Sequence, residues 1–372
     1  MRILFTACPM FGHVNPVLPL VLAARAAGHD VVVATGPDMA ARLTVPTWAV
    51  GPSHHEAGGG PGTDWLAYFA STARARAADL VPRALDWKPD LVISEDTELS
   101  GPVAAAATGA RHVVHGIGIM PPIQLWAAFG PALDGLFDQF GVPGTSAGHR
   151  AATYLELCPP SLRPASPAAE RIWPTTLPLR PVAGTPSGSE QLPASLDSLP
   201  YEQTVHLTLG TVFHANRNVL HTAIAALSAL PVNVVATVGP DVDPAGFGRQ
   251  PAHVVLAPYL PHTLLLPRCT AVVSQAGAGI MFGALAHGLP HLALPQGGDQ
   301  FTNAEAIELS GTGLALHPAE VTGAAITDRL TELLTNPAYT AAATAARTDL
   351  TTMPDAPTVL TTLTTSPSQL IE

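Results

Sequence analysis

Short apolar runs alternate with longer stretches of helical period along most of the chain, which is the pattern of parallel strands joined by crossover helices. Arg2 to Ala7 is a run suited to a central parallel strand covered on both faces. A helix is predicted from Pro16 to about Ala27, closed by Gly28, then strands at Asp30 to Thr35, Thr47 to Val50, Asp90 to Ser94 and His112 to Ile117. Gly58 to Gly62 reads as a flexible loop and Asp64 to Trp87 as a helix. Between Leu177 and Pro200 the chain turns rich in Pro, Ser and Gly and poor in large apolar side chains, as a linker does. The alternation then restarts. Strands are predicted at Val205 to Leu209, Val232 to Val238, Val254 to Ala257, Ala271 to Ser274 and His291 to Leu294. Helices are predicted at Asn218 to Leu230, Gly279 to His287 and Gln300 to Ser310. This gives two βαβ-type domains, 1–180 and 201–372, joined by a linker at 181–200, with the extreme C-terminus packing back on the first.

Composition narrows the function classes. Hydrophobic residues make up 47% of the 372 and charged ones 12%, ample material for two buried sheets. Every long apolar stretch is broken by Gly, Pro or His, so no membrane-spanning helix is expected. The first segment lacks the basic flank and cleavage site of a signal peptide and reads as a buried strand. A formal net charge of −11, with Lys88 the only lysine, leaves no basic stripe for nucleic acid or an anionic membrane. Cys8, Cys158 and Cys269 are widely spaced and odd in number, which argues against a disulfide framework or a cysteine-paired zinc site and suits a cytoplasmic protein. His54-His55 is the only adjacent histidine pair and reads as part of an exposed loop.

Open parallel sheets collect their functional loops at the carboxyl ends of the strands, so chemistry is expected in a cleft between the two domains. Cys8 to Pro16 follows the first strand, and His13 lies just before the expected helix. An imidazole there suits removal of a proton from a hydroxyl; equally, it caps the helix or packs on the loop. Gln275-Ala276-Gly277-Ala278-Gly279 is a small-residue turn between a strand and a helix. Its amides suit a diphosphate, although such turns often serve only to let a helix pack on its sheet. Asp299 and Gln300 offer groups suited to sugar hydroxyls, while Asp299 fits the N-cap of the next helix as well. No Asp-x-Asp pair suggests a metal site near these segments.

Taken together and in order, the segments resemble the inverting natural-product glycosyltransferases of actinomycetes. Met1 to Thr6 with Gly12-His13-Val14-Asn15-Pro16 and Gly28-His29-Asp30 looks like the amino-terminal signature of that family. Val205 to Gly210 and Thr211 is similar to its first carboxyl-domain strand and phosphate-side loop, and Leu285 to Ala304 to its donor-sugar segment. Met353-Pro354 resembles the start of its final helix. The resemblance implies an α/β fold of the GT-B type, two Rossmann-like doubly wound parallel-sheet domains facing across a cleft. It also implies a TDP- or UDP-sugar co-substrate with no resident cofactor or metal, and a small hydrophobic aglycone acceptor. A homodimer or an auxiliary activator protein is compatible with it.

Carried over residue by residue, His13 is the general base, with Glu95 as its acidic partner and Asp96 the neighbour to consider next. Gly12, Gly210, Thr211, Tyr259, Leu260, Gln275, Ala276, Gly277, Ala278, Gly279, Asp299 and Gln300 fall in donor-binding positions, with Tyr259 against the base. Trp65, Phe69, Trp126 and Phe129 line the stretches expected to receive the acceptor, though core packing explains several of these rings equally well. One position departs from the pattern. The family has a histidine where this chain has Gln275, so donor binding is expected to be retained but altered, and a catalytically silent homologue that activates a partner transferase is the rival reading.

Overall fold

The computed structural model describes residues 1–59, 63–121, 123–163, 173–182, 184, 191–210, 217–239 and 242–365. It divides into two compact units. The first comprises Met1–Cys158, Ala165–Arg180 and Met353–Glu372; the second comprises Pro159–Pro164 and Pro181–Thr352.

The first unit is built on a seven-stranded sheet: β1 (Arg2–Thr6), β2 (Asp30–Thr35), β3 (Thr47–Ala49), β4 (Leu91–Glu95), β5 (Arg111–His115), β6 (Thr153–Glu156) and β7 (Thr176–Pro178). All neighbours pair in parallel, in the order β3-β2-β1-β4-β5-β6-β7. Ile3, Leu4 and Phe5 of β1 are wholly buried, as is every residue of β4. That is the signature of strands with helices on both faces, and each such side chain contributes roughly 1.5–3 kcal/mol. The helices are α1 (Phe11–Ala26), α2 (Pro37–Ala40), α3 (Trp65–Trp87), α4 (Ser100–Thr108), α5 (Ile123–Phe140) and α6 (Ser146–His149). Asp64 caps α3 by accepting from the Ala67 amide at 3.1 Å, and Lys88, at φ 55°, ends it.

The second unit repeats the plan with six parallel strands: β8 (Thr204–Thr208), β9 (Asn233–Thr237), β10 (Val254–Ala257), β11 (Ala271–Ser274), β12 (His291–Ala293) and β13 (Gly313–Ala315). Their order is β10-β9-β8-β11-β12-β13. Its helices are α7 (Arg217–Ser228), α8 (His262–Leu265), α9 (Ala278–Ala286), α10 (Gln300–Leu309), α11 (Gly323–Thr335) and α12 (Pro337–Thr352). The chain then returns to the first unit, where α13 (Ala356–Thr365) packs on α1. Both sheets therefore wind outward in two directions from a central pair of strands, β1/β4 and β8/β11. Loops leaving the carboxyl ends of such a pair bound the crevice where open α/β sheets bind ligands.

Two boundaries differ from expectation in ways that matter. The first helix begins at Phe11, not Pro16, so Gly12-His13-Val14 form its opening turn, and Pro16 and Pro19 sit inside it. Pro16 and Pro19 lie past the first four amides, so each leaves one interior carbonyl, of Gly12 and of Asn15, without its intrahelical donor. Glu95 is the last residue of β4 rather than the residue after it. Among the described residues no helix is long and apolar enough to cross a membrane, and none of the three cysteines forms a disulfide.

Candidate functional site

In the first unit the switch point brings the turn after β1 against the turn after β4. His13, in the opening turn of α1, directs Nδ1 at Glu95 Oε1, 3.1 Å away. The His13 side chain is 14% exposed and that of Glu95 wholly buried. The carboxylate is held on every side. Oε1 also accepts from the Cys8 amide at 3.1 Å, Oε2 from the Thr97 amide at 2.7 Å, and the Thr97 hydroxyl lies 3.0 Å from both oxygens. Burial alone would raise this carboxyl. The facing imidazole and the hydrogen bonds from Thr97 and Cys8 outweigh it and hold the group down at about 2. Thr97 Oγ1 is also 3.1 Å from His13 Nδ1. Ring, carboxylate and hydroxyl thus form one closed cluster that fixes the Nδ1–H tautomer.

Asp96 turns away from this cluster. Its Oδ2 accepts from the Tyr154 hydroxyl at 2.9 Å, and burial, reinforced by the Glu95 charge, pushes its carboxyl up to about 7. Of the two acidic candidates, the structure brings Glu95 to His13 and gives Asp96 to Tyr154. Beneath the cluster, the buried Arg76 Nε donates to Glu98 Oε1 at 3.0 Å. Glu98 in turn accepts from the amides of Ser100 and Gly101 at 3.1 and 2.8 Å, which pins the 95–101 turn to the start of α4.

The aromatic side chains gather on one side of His13. Phe69 lies 5.4 Å from its ring, Trp65 stacks 6.0 Å from Phe69, and Phe129 follows at 6.1 Å with Trp126 a further 5.8 Å on. Phe69, Trp126 and Phe129 are largely buried, while Trp65 is half-buried. His54 belongs to this wall instead of an exposed loop: its Nδ1 pairs with the Tyr68 hydroxyl at 2.9 Å and its ring stacks on Trp65, leaving His55 outside. Sequence reasoning missed Thr97, Tyr68 and His54. The one legible signal was the polar run Glu95-Asp96-Thr97-Glu98 at a strand end, in a chain where charge is scarce.

In the second unit the equivalent switch point joins the turns after β8 and β11. Gly210 stands at φ 73°, and a Cβ there would collide with the Gln275 amide group. Gln275 is 8% exposed, packs against Gly210 and Gly277, and its Oε1 has no hydrogen-bond partner among the described residues. Ala276 adopts φ 62°, a left-handed conformation that costs a non-glycine residue about 1–2 kcal/mol. The turn is locked all the same: the Ala276 amide donates to Ser274 Oγ at 2.9 Å and its carbonyl accepts from Asn303 Nδ2 at 2.9 Å. The Ala276 amide is therefore engaged within the protein and unavailable as a ligand donor. Gly277 is the N-cap of α9, so Ala278 and Gly279 carry the orphan amides of the helix's first turn.

The remaining donor-side candidates divide. Tyr259, after β10, is 62% exposed. Leu260 is core, packed with Leu196, Val235, Ala257 and Leu265. Asp299 occupies the N-cap position of α10 without capping it; its Oδ2 accepts from Asn303 Nδ2 at 2.9 Å. Gln300 is buried, with Oε1 accepting from the amides of Gln296 and Gly297 at 2.8 and 3.2 Å, so it shapes the turn before α10. Gly12 is exposed beside His13, and Thr211 lies outside the described residues.

Residues 65–133 match the N-terminal domain of the erythromycin biosynthesis protein CIII-like family, and residues 221–365 its C-terminal domain. The chain is 35% identical over 342 residues to an L-demethylnoviosyl transferase of Streptomyces niveus, covering 85% of each chain. The glycosyltransferase VinC, solved in complex with dTDP, superposes with a TM-score of 0.80 at 25% identity over 98% of each chain. The spinosyn rhamnosyltransferase SpnG, solved with spinosyn aglycone, gives 0.80 at 26% identity over 98% of this chain and 100% of the other.

Proposed function

We propose, for a chain that belongs to the erythromycin biosynthesis protein CIII-like family of actinomycete antibiotic glycosyltransferases, transfer of a deoxysugar from a TDP- or UDP-sugar to a small aromatic or otherwise hydrophobic acceptor, with inversion and with His13 as the base. The observation that carries this reading is the 3.1 Å contact of His13 Nδ1 with a buried, ionised Glu95 at the switch point of the first sheet. With Nδ1–H committed to the carboxylate, Nε2 is the nitrogen that takes the acceptor's hydroxyl proton. Glu95 then stabilises the imidazolium. The oxygen attacks the anomeric carbon from the face opposite the diphosphate, which leaves with its electron pair, so the configuration inverts without a covalent enzyme intermediate.

The donor half of the reaction falls to the second unit. The orphan amides of α9 and the Gln275 side chain suit the negative charge of the leaving diphosphate, and exposed Tyr259 suits stacking on the nucleotide base. The wall of Trp65, Phe69, Phe129 and Trp126 beside His13 suits a flat apolar acceptor. Turnover of a TDP-sugar against a panel of aromatic acceptors tests the assignment. His13→Ala is expected to lower kcat by roughly 10²–10⁴-fold while leaving the rise in Tm caused by TDP unchanged. Near-normal turnover in that variant removes His13 from the mechanism.

Gln275 favours a second reading, a silent homologue that activates a partner transferase, because it supplies no positive charge to a phosphate. Neither TDP nor UDP would then shift the melting curve at millimolar concentration, and no acceptor would turn over without the partner protein.

A further inference from the structure

The cysteines do not pair with one another, yet Cys8 does not stand alone. Its sulfur, a ring nitrogen of His13 and a carboxylate oxygen of Glu95 all lie within 4.8 Å of one another. Thr97 Oγ1 adds a fourth donor, 3.1 Å from His13 Nδ1, 3.0 Å from Glu95 Oε1 and 3.9 Å from Cys8 Sγ. The remaining measured separation, Nδ1 to Oε1, is 3.1 Å. In tetrahedral zinc sites, bonds of about 2.0–2.3 Å place neighbouring ligand atoms about 3.3–3.7 Å apart. The nitrogen and the two oxygens stand slightly closer than that, the Thr97–Cys8 separation is slightly wider, and the sulfur lies within 4.8 Å of the imidazole and the carboxylate.

The geometry points to an inhibitory zinc site formed by Cys8 Sγ, His13 Nδ1 and Glu95 Oε1, with Thr97 Oγ1 at the fourth corner. A soft thiolate and a borderline imidazole beside two oxygens favour Zn²⁺ over the hard cations that need all-oxygen cages. The amides of Cys8 and Thr97 already hold the carboxylate in place, as the outer partners of metal ligands do. His13, the partly exposed member, gives the ion its way in. On binding, the Cys8 S–H bond breaks, the sulfur lone pair goes to the metal and the proton leaves to solvent. The His13 proton stays on the ring but moves from Nδ1 to Nε2. Nε2 is then a donor and no longer accepts the hydroxyl proton, so metal binding switches off the base. The binding stands independently of the transferase reading; the inhibition rests on it.

Cobalt(II) added alone to the intact protein provides the probe, since thiolate ligation gives an intense near-ultraviolet charge-transfer band. One equivalent is expected to develop that band, Zn²⁺ to abolish it by displacement, and Zn²⁺ to inhibit transfer reversibly on chelation. Cys8→Ala and Cys8→Ser are each expected to lose the band, while a Cys158→Ala/Cys269→Ala variant keeps it. The zinc concentration for half-inhibition, measured against each variant's own metal-free rate, should rise about 10- to 100-fold in the Cys8 variants. Should one Cys8 variant fail to fold, the other carries the comparison, and Glu95→Gln should weaken cobalt binding by the same route. Absence of the band in folded wild-type protein, or equal zinc inhibition with and without Cys8, overturns the site. The spectrum is read without a sugar donor, so its outcome is separate from that of the transfer assay.

Discussion

At the scale of single residues, the base depends on groups that touch no substrate. Glu95 is kept ionised in a dry setting only because four hydrogen-bonding groups converge on it, and Thr97 supplies two of them. Thr97→Val removes the hydroxyl while keeping shape, leaving a buried carboxylate one bond short. A hydrogen bond to a charged group contributes about 1.5–3 kcal/mol, so turnover is expected to fall roughly tenfold or more. Thr97→Ser should restore most of it, and TDP binding should be the same in all three proteins. A Thr97→Val enzyme with unaltered kcat would show that the backbone amides alone position Glu95. His13 and Glu95 were both legible in the sequence, through their order along the chain and their places at strand ends. Thr97 was not, because a hydroxyl two residues beyond a carboxylate looks the same whether it points at solvent or back at the acid.

Among elements, the turn between β11 and α9 holds Gln275 at the position where the family resemblance led us to expect a histidine. Gly210 and Gln275 meet there because β8 and β11 are neighbours; the amide fills the space that any side chain at 210 would need. If Gln275 donates one neutral hydrogen bond to the diphosphate, Gln275→Ala should weaken TDP binding by about 1 kcal/mol, roughly fivefold. Gln275→His should keep or tighten it, since a protonated ring makes a charge-assisted bond. Equal titration isotherms for all three proteins would mean that this turn no longer reads phosphate. The strands here were readable from apolar runs alone. The helix starts were less so: α1 was expected at Pro16 because proline marks a first turn, whereas the helix tolerates two prolines and opens five residues earlier, carrying His13 with it. Helix α5 went unforeseen because Met120 to Arg150 was read for its aromatic rings, and strands β6 and β7 because runs of four and three residues carry little pattern.

For the molecule as a whole, histidine usage sets a distinctive response to acid. The histidines are mostly scattered singly along the sequence, yet several rings are buried and some of them meet in the fold. His112 stacks on His149 within the first unit, and His206 Nε2 lies 3.2 Å from His262 Nε2 within the second. Burial holds His112, His206 and His291 down at about 3 and His115 and His262 at about 4, so all five are neutral in the native protein at physiological pH. In the unfolded chain each ring takes its proton near 6.5, so the unfolded state binds more protons throughout the window from about 6.5 down to 3–4. Stability is therefore full above 6.5 and falls as the pH drops, by up to about 1.4 kcal/mol per ring per pH unit. Glu95, lowered to about 2, adds to the loss below its usual 4.5. Asp96 opposes it: raised to about 7, it contributes most below 3.8 and loses that contribution as the pH rises through 7. One carboxyl does not offset five imidazoles. The urea midpoint of the protein is expected to decline steeply between pH 7 and 5, before ordinary carboxylates titrate, and His206→Phe with His262→Leu should flatten that slope. A midpoint constant over this range would show that the buried rings find proton acceptors or water in the native state.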